Sequence, residues 1–177
     1  MTDVMWARPD GRRILLAPDE DVARFVGGIY SFDETRVGPI RVTRSSGGFE
    51  LHAGELQLEA ELGRPHRLFA LRPRRLRRSL AWVRVEDLLA RGPLGRVLIG
   101  GAEGVRMRGT TPSGVREWYR IDGYRPIVAA RGSLGGRELG AMSTIGADLG
   151  FGFSGFPKRP AFVTCSPVLE GASGAIA

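Results

Sequence analysis

Apolar and polar residues alternate with a period of two over residues 37–44 and again over residues 49–61. The alternation is most regular in Glu55-Leu56-Gln57-Leu58-Glu59-Ala60-Glu61, where Leu56, Leu58 and Ala60 point one way and the polar side chains the other. Ser45-Ser46-Gly47-Gly48 supplies a turn between the two stretches, so they predict a half-buried antiparallel strand pair with an acidic outer face. Ahead of them, residues 12–16 read as a first strand. Ala17-Pro18-Asp19-Glu20-Asp21 then reads as a helix start, with a proline and acids placed where the fixed φ and the macrodipole favour them. That helix carries Val22, Phe25 and Val26 on one face and ends at Gly27-Gly28.

A second helix is predicted over residues 74–91, opened by Pro73 and stopped by Gly92-Pro93. Leu76, Leu80, Val83 and Asp87 stand at helical spacing, with Leu88 and Leu89 beside them. The alternation in Leu80-Ala81-Trp82-Val83-Arg84-Val85 also suits a strand, and the terminators decide for the helix. From Leu94 onward the pattern is β again, over residues 96–99, 105–108, 115–121, 124–130 and 160–168. With about two short helices, no regular βαβ alternation and no internal repeat, the fold class is α+β or mainly β, built on a curved antiparallel sheet or barrel.

Asp122-Gly123 is the strongest turn signal in the chain, because a type I′ hairpin needs positive φ at both central residues. A two-residue loop there pairs Ile121 with Tyr124. Val115, Glu117, Tyr119, Ile121, Tyr124 and Val128 then share one wall, and Arg116, Trp118, Arg120 and Arg125 form an exposed-looking opposite side. Glu117 is the lone carboxylate on that tyrosine-bearing wall, and burial of a carboxyl there prepares a general acid or base. Pro126 falls opposite Tyr119 at a position that should donate a ladder hydrogen bond, so a bulge, an edge or a register shift is expected near it. A shift of one residue turns Trp118 inward instead of Glu117.

At 177 residues and 42% hydrophobic content the chain is long enough for one core, and it reads as a single globular domain over residues 1–170 with a disordered tail over 171–177. The charge is not spread evenly. Eight arginines fall between residues 64 and 84 with no acid among them, and since the net charge is +7 the remainder carries −1. Arg74, Arg75, Arg77 and Arg78, on the outside of the predicted helix, are candidate anion-binding residues. Only Phe69 and Trp82 are interleaved with these cations, which weighs against nucleic acid as the partner. The 25 arginines against one lysine, Lys158, are explained by a GC-rich genome and dilute the meaning of any single guanidinium.

The single Cys165 precludes an intramolecular disulfide and a thiolate cluster, and it is expected to be an inert buried thiol. His52 and His66 have no partners at metal-ligand spacing, so neither a metal nor any other cofactor is expected. The first ten residues lack an apolar h-region, and no apolar run approaches the ~20 residues of a membrane span, so a cytoplasmic protein is expected. Gly150-Phe151-Gly152-Phe153-Ser154-Gly155 spells the dinucleotide fingerprint, but Pro157 and Pro160 block the helix that a pyrophosphate site needs. Phe151, Phe153 and Phe156 read instead as an aromatic flap. Lys158, between Pro157 and Arg159-Pro160, reads as exposed rather than as a Schiff-base nucleophile.

Arg106-Met107-Arg108-Gly109 with Arg116-Glu117-Trp118-Tyr119, and Phe151-Gly152-Phe153 with Pro157 and Pro160, resemble a pattern of small uncharacterised actinobacterial proteins. The resemblance spans the C-terminal half and implies no activity and no site residues.

These patterns favour a β-rich domain that binds an apolar small molecule against Trp118, Tyr119 and Tyr124, covered by Phe151, Phe153 and Phe156. As an enzyme it would be a cofactor-independent isomerase or cyclase of a biosynthetic pathway, with Glu117 as the catalytic residue. The alternative is a non-catalytic module that turns the basic segment of residues 64–84 toward nucleic acid or an anionic protein. A third class is an interaction protein whose cationic helix docks on a partner subunit, of the same chain or of another.

Overall fold

The computed structural model describes residues 2–67, 79–92, 105–145, 149–152 and 157–171. Among these the chain forms ten strands and two helices, and all strand pairs but one are antiparallel. The fold is α+β and dominated by sheet, with open sheets among the described residues rather than a closed barrel. The chain forms two compact units. The first comprises Met1–Gly63, Ile127–Ser143 and Leu149–Phe151, and the second Arg64–Pro126, Thr144–Asp148 and Gly152–Ala177.

In the first unit β1 (Val4–Ala7) and β2 (Arg13–Ala17) form a hairpin, and β2 carries Ile14, Leu15 and Ala17 at zero exposure. α1 (Glu20–Ile29) follows, and the chain returns as β3 (Glu34–Val37), paired parallel to β2. This single β–α–β crossover was not anticipated, because it is not part of a repeating alternation that periodicity could reveal. Ala23, Val26 and Ile29 are the buried residues of α1, and Ala23 and Val26, with Val22 and Phe25 partly buried beside them, pack against Leu15 and Ala17. The helix runs through Gly27-Gly28 instead of ending there, and the Tyr30 N–H closes its last turn on the Val26 carbonyl at 3.0 Å.

Asp19 caps α1, its Oδ1 accepting from the Val22 N–H at 2.8 Å. Asp19→Ala is therefore expected to lower stability by about 1 kcal/mol. The midpoint of urea denaturation, compared with that of the unaltered chain, measures it.

The first unit also holds an antiparallel meander of β4 (Ile40–Arg44), β5 (Gly48–Ala53) and β6 (Leu56–Leu62). The alternation of residues 49–61 is thus two strands and not one. A two-residue loop at Gly54-Glu55 separates them, with positive φ only at its first position, as a II′ hairpin requires. Leu51, Ala53 and Ala60 are buried, and Glu50, Glu55, Glu59 and Glu61 are exposed, so the acidic outer face is present. The last part of β8 (Arg116–Leu134) pairs with β6, and β9 (Arg137–Glu138) closes on β8 through Gly135-Gly136, both at positive φ.

In the second unit the first part of β8 is flanked by β7 (Arg108–Thr110) and β10 (Ala161–Glu170). α2 (Leu80–Arg91) is capped by Ser79, whose Oγ accepts from the Trp82 N–H at 3.4 Å, and ends at Gly92. Among its described side chains, Val83 and Asp87, one turn apart, are the buried positions. Leu88, expected beside them, is 72% exposed, since it lies about 100° around the helix from Asp87. No described helix is long and apolar enough to cross a membrane.

Asp122-Gly123 is not a hairpin. β8 continues through it as one strand of 19 residues, and neither residue adopts positive φ. Gly123 pairs with Thr164 and Ile121 with Cys165, which leaves Asp122 as the extra residue of a β-bulge. Glycine fits for a steric reason: a Cβ on Gly123 would stand 2.7 Å from Thr164 Oγ1. Pro126 is paired with Ala161 at the end of the β10 ladder, and the β6 ladder begins at Ile127. Its missing N–H thus falls where β8 changes partners.

Candidate functional site

The bulge preserves part of the predicted wall by another route. Glu117, Tyr119 and Tyr124 are opposite Leu169, Pro167 and Val163, alternating positions of β10, so these three share one face of β8, whereas Ile121, next to the bulge and opposite Cys165, packs against the cluster of Val83, Met107 and Trp118. Without the extra residue at Asp122, Tyr124 would turn to the other face. Val128 departs from the wall: it is 58% exposed and is itself the unpaired residue of a second bulge, opposite Glu61 and Leu62.

Glu117 is 2% exposed, and the Tyr119 hydroxyl donates to its Oε2 at 3.1 Å. Such a bond holds the carboxylate in one orientation and gives it a neighbour able to pass a proton. Tyr124 is also buried, and its desolvation pushes the phenol above its usual pKa, with Arg159 opposing. Its carbonyl accepts from the His66 N–H at 2.9 Å, and the His66 ring stands edge-on to the Tyr124 ring at 6.2 Å.

Trp118, on the opposite face of β8, is 7% exposed, so the side expected to be solvated is covered as well. It packs with Val83 of α2 and with Met107. The alternative of Glu117 or Trp118 turning inward dissolves, because both faces of this part of β8 are covered. Asp87, 1% exposed, holds the cover in place: its Oδ1 accepts from the Met107 N–H at 2.9 Å and its Oδ2 from Arg108 Nε at 3.3 Å. The guanidiniums of Arg84 and Arg108 lie 5.3 and 5.9 Å from the centre of the Trp118 ring.

Phe151 belongs to the first unit. It is 3% exposed, its ring is 5.6 Å from that of Phe32, and its carbonyl accepts from the Ser31 N–H. Beside it Arg13 grips Asp33 through a two-pronged guanidinium pair at 3.0 Å and through its backbone N–H at 2.8 Å, and Arg13 Nη1 reaches the Gly150 carbonyl at 2.9 Å. Phe151 is thus a packed residue within its own unit. Phe153 and Phe156 lie outside the described residues, as do Arg74, Arg75, Arg77 and Arg78, Phe69, Leu76, the predicted strand at 96–99 and the tail after Gly171.

The side-chain hydrogen bonds from Arg13, followed by its backbone N–H, hold the Asp33 carboxyl at about 2, below its ordinary 3.8. A carboxylate whose folded pKa is depressed contributes stability above the unfolded pKa and loses it as pH falls through the folded one. Thermal unfolding between about pH 5 and pH 2 is therefore expected to show a fall in midpoint below about pH 4 that is reduced in Asp33→Asn. Parallel curves for the two proteins would contradict it.

An open depression of about 350 Å³ marks the polar face of the first unit, lined by Glu50, His52, Gln57, Glu59, Arg131 and Glu138 among others, with Arg131 paired to Glu59 at 2.9 Å. None of the sequence-predicted ligand residues lines it. Cys165 is exposed, contrary to the buried thiol expected; it stands on β10 opposite Ile121. Lys158 is exposed as expected. Among the described residues no three His, Cys, Asp or Glu side chains converge as metal ligands. Compared with protein families, curated proteins and solved structures, the chain matches none.

The residues that periodicity missed are Asp87, Arg84 and Arg108. Asp87 was placed at a leucine-like position of the helix, and an acid at a core position is itself the signal of a buried polar anchor.

Proposed function

We propose that the second unit binds a small apolar molecule on the face of β8 that carries Glu117, Tyr119 and Tyr124, and that Glu117 moves a proton on it. The observation that carries this reading is the 2% exposure of Glu117 together with its hydrogen bond from Tyr119. Burying a carboxyl costs free energy unless its polar atoms are satisfied, and acids kept in such surroundings are recurrent proton carriers. The reaction class that fits is an isomerisation or cyclisation needing no cofactor. Glu117 takes a proton from one carbon and returns it to another, while the electron pair of the broken C–H bond shifts within the substrate. Atoms and electrons balance without an oxidant or reductant.

Native mass spectrometry of freshly purified protein tests the binding step. The expected result is a population heavier than the bare polypeptide by the mass of one small organic molecule, which is released on unfolding. Only the polypeptide mass, in preparations from several growth conditions, would count against the reading.

A further inference from the structure

Trp118 presents a second opportunity on the other face of β8, independent of Glu117. Its indole Nε1 is buried and has no hydrogen-bond partner. An indole N–H is a donor only, and a buried donor left unpaired is costly, so it calls for an acceptor. Two guanidiniums flank the same ring. Arg108 is bound to Asp87, whereas the exposed Arg84 has no ion pair among the described residues.

We propose that Trp118, with the guanidiniums of Arg84 and Arg108 over its ring, forms a binding notch for an oxyanion, the carboxylate or phosphate end of a small ligand. The ring-plane N–H supplies a directional bond of about 2.9 Å to one oxygen. Arg84 supplies the charge that Asp87 does not cancel, and a hydrogen bond to a charged group is the stronger kind. Trp82 shows the contrast within the same helix, since its Nε1 is already committed to Glu86 Oε1 at 2.7 Å. Trp6, in the first unit, has the guanidinium of Arg8 over its ring at 5.8 Å.

The three tryptophans make the test internal. The indole N–H resonances of ¹⁵N-labelled protein, assigned through Trp6→Phe and Trp82→Phe, are followed while inorganic phosphate or acetate is added at constant ionic strength. The Trp118 resonance is expected to move and saturate with at least one of the two anions, while those of Trp6 and Trp82 stay in place. Arg84→Gln, a change at an exposed position, is expected to weaken that titration about tenfold. Saturation by acetate alone assigns the notch to carboxylates, and by phosphate alone to phosphoryl groups. A Trp118 resonance that ignores both anions, one that moves only in step with Trp6, or an unchanged titration in Arg84→Gln overturns the proposal.

Discussion

Replacing Asp87 by alanine is expected to destabilise the second unit by about 3 kcal/mol. The carboxylate is 1% exposed and fixes α2 to the segment leading into β7, accepting from the Met107 N–H at 2.9 Å and from Arg108 Nε at 3.3 Å. Alanine leaves the Met107 N–H buried without this acceptor and opens a void beside Val83. Arg108 limits the damage, because its side chain is 43% exposed and its charge can turn to water. The penalty is therefore set below that of breaking a wholly buried pair. Asp87→Asn separates the two contributions: its amide oxygen still accepts from Met107, so a loss of about 1 kcal/mol is expected. Urea unfolding followed by tryptophan fluorescence reads both variants through Trp82 and Trp118. A midpoint for Asp87→Ala within experimental error of the unaltered chain would show that Asp87 does not anchor the helix.

Asp87 also marks the boundary of what pattern can reveal. Periodicity located β2, α1, the meander and the C-terminal part of the second helix, because each buries one face and advertises it at the matching period. Residues 49–61 show its limit: a II′ turn at Gly54-Glu55 preserves alternation on both sides, so two strands read as one. Asp122-Gly123 shows the converse. The dipeptide that suits a I′ turn also suits a bulge, where one residue goes unpaired and a Cβ on the other would press on Thr164 Oγ1. Partner strands far along the chain decide between the two, and no local window contains them. The Gly135-Gly136 hairpin, with both glycines at positive φ, is where the type of turn expected at Asp122 is made.

The candidate site was legible for a reason that survives the wrong topology. A bulge and a two-residue loop both shift parity by one residue, so Tyr124 shares a face with Glu117 and Tyr119 in either arrangement, while Ile121, beside the bulge, packs against the Trp118 cluster. The opposite face was misjudged because three of its four residues are arginines. Nothing local announces that α2 will lie over Trp118, since that packing joins positions 35 residues apart in sequence, Val83 and Trp118. The β2–β3 parallel pair was missed for a similar reason: one crossover carries no repeat, and the exposed β3 has little apolar pattern.

Glu117→Gln is expected to lower turnover of the molecule recovered with the protein by about 10²–10⁴-fold, the usual contribution of a positioned proton carrier. The substitution suits the geometry. Gln keeps an oxygen where Tyr119 donates at 3.1 Å, so the hydrogen bond survives while the group loses its ability to take and return a proton. Stability is expected to change by only about 1 kcal/mol, and occupancy by the ligand to persist in the native mass spectrum. Tyr119→Phe acts on the orientation of Glu117 rather than on its chemistry, so a smaller loss, about tenfold, is expected, with the binding affinity little changed. A structural role gives the reverse order. If Glu117 only holds the sheet together, Glu117→Gln depresses the unfolding midpoint and leaves turnover per folded molecule untouched. Measuring the rate and the folded fraction on the same sample therefore decides between a proton carrier and a buried strut.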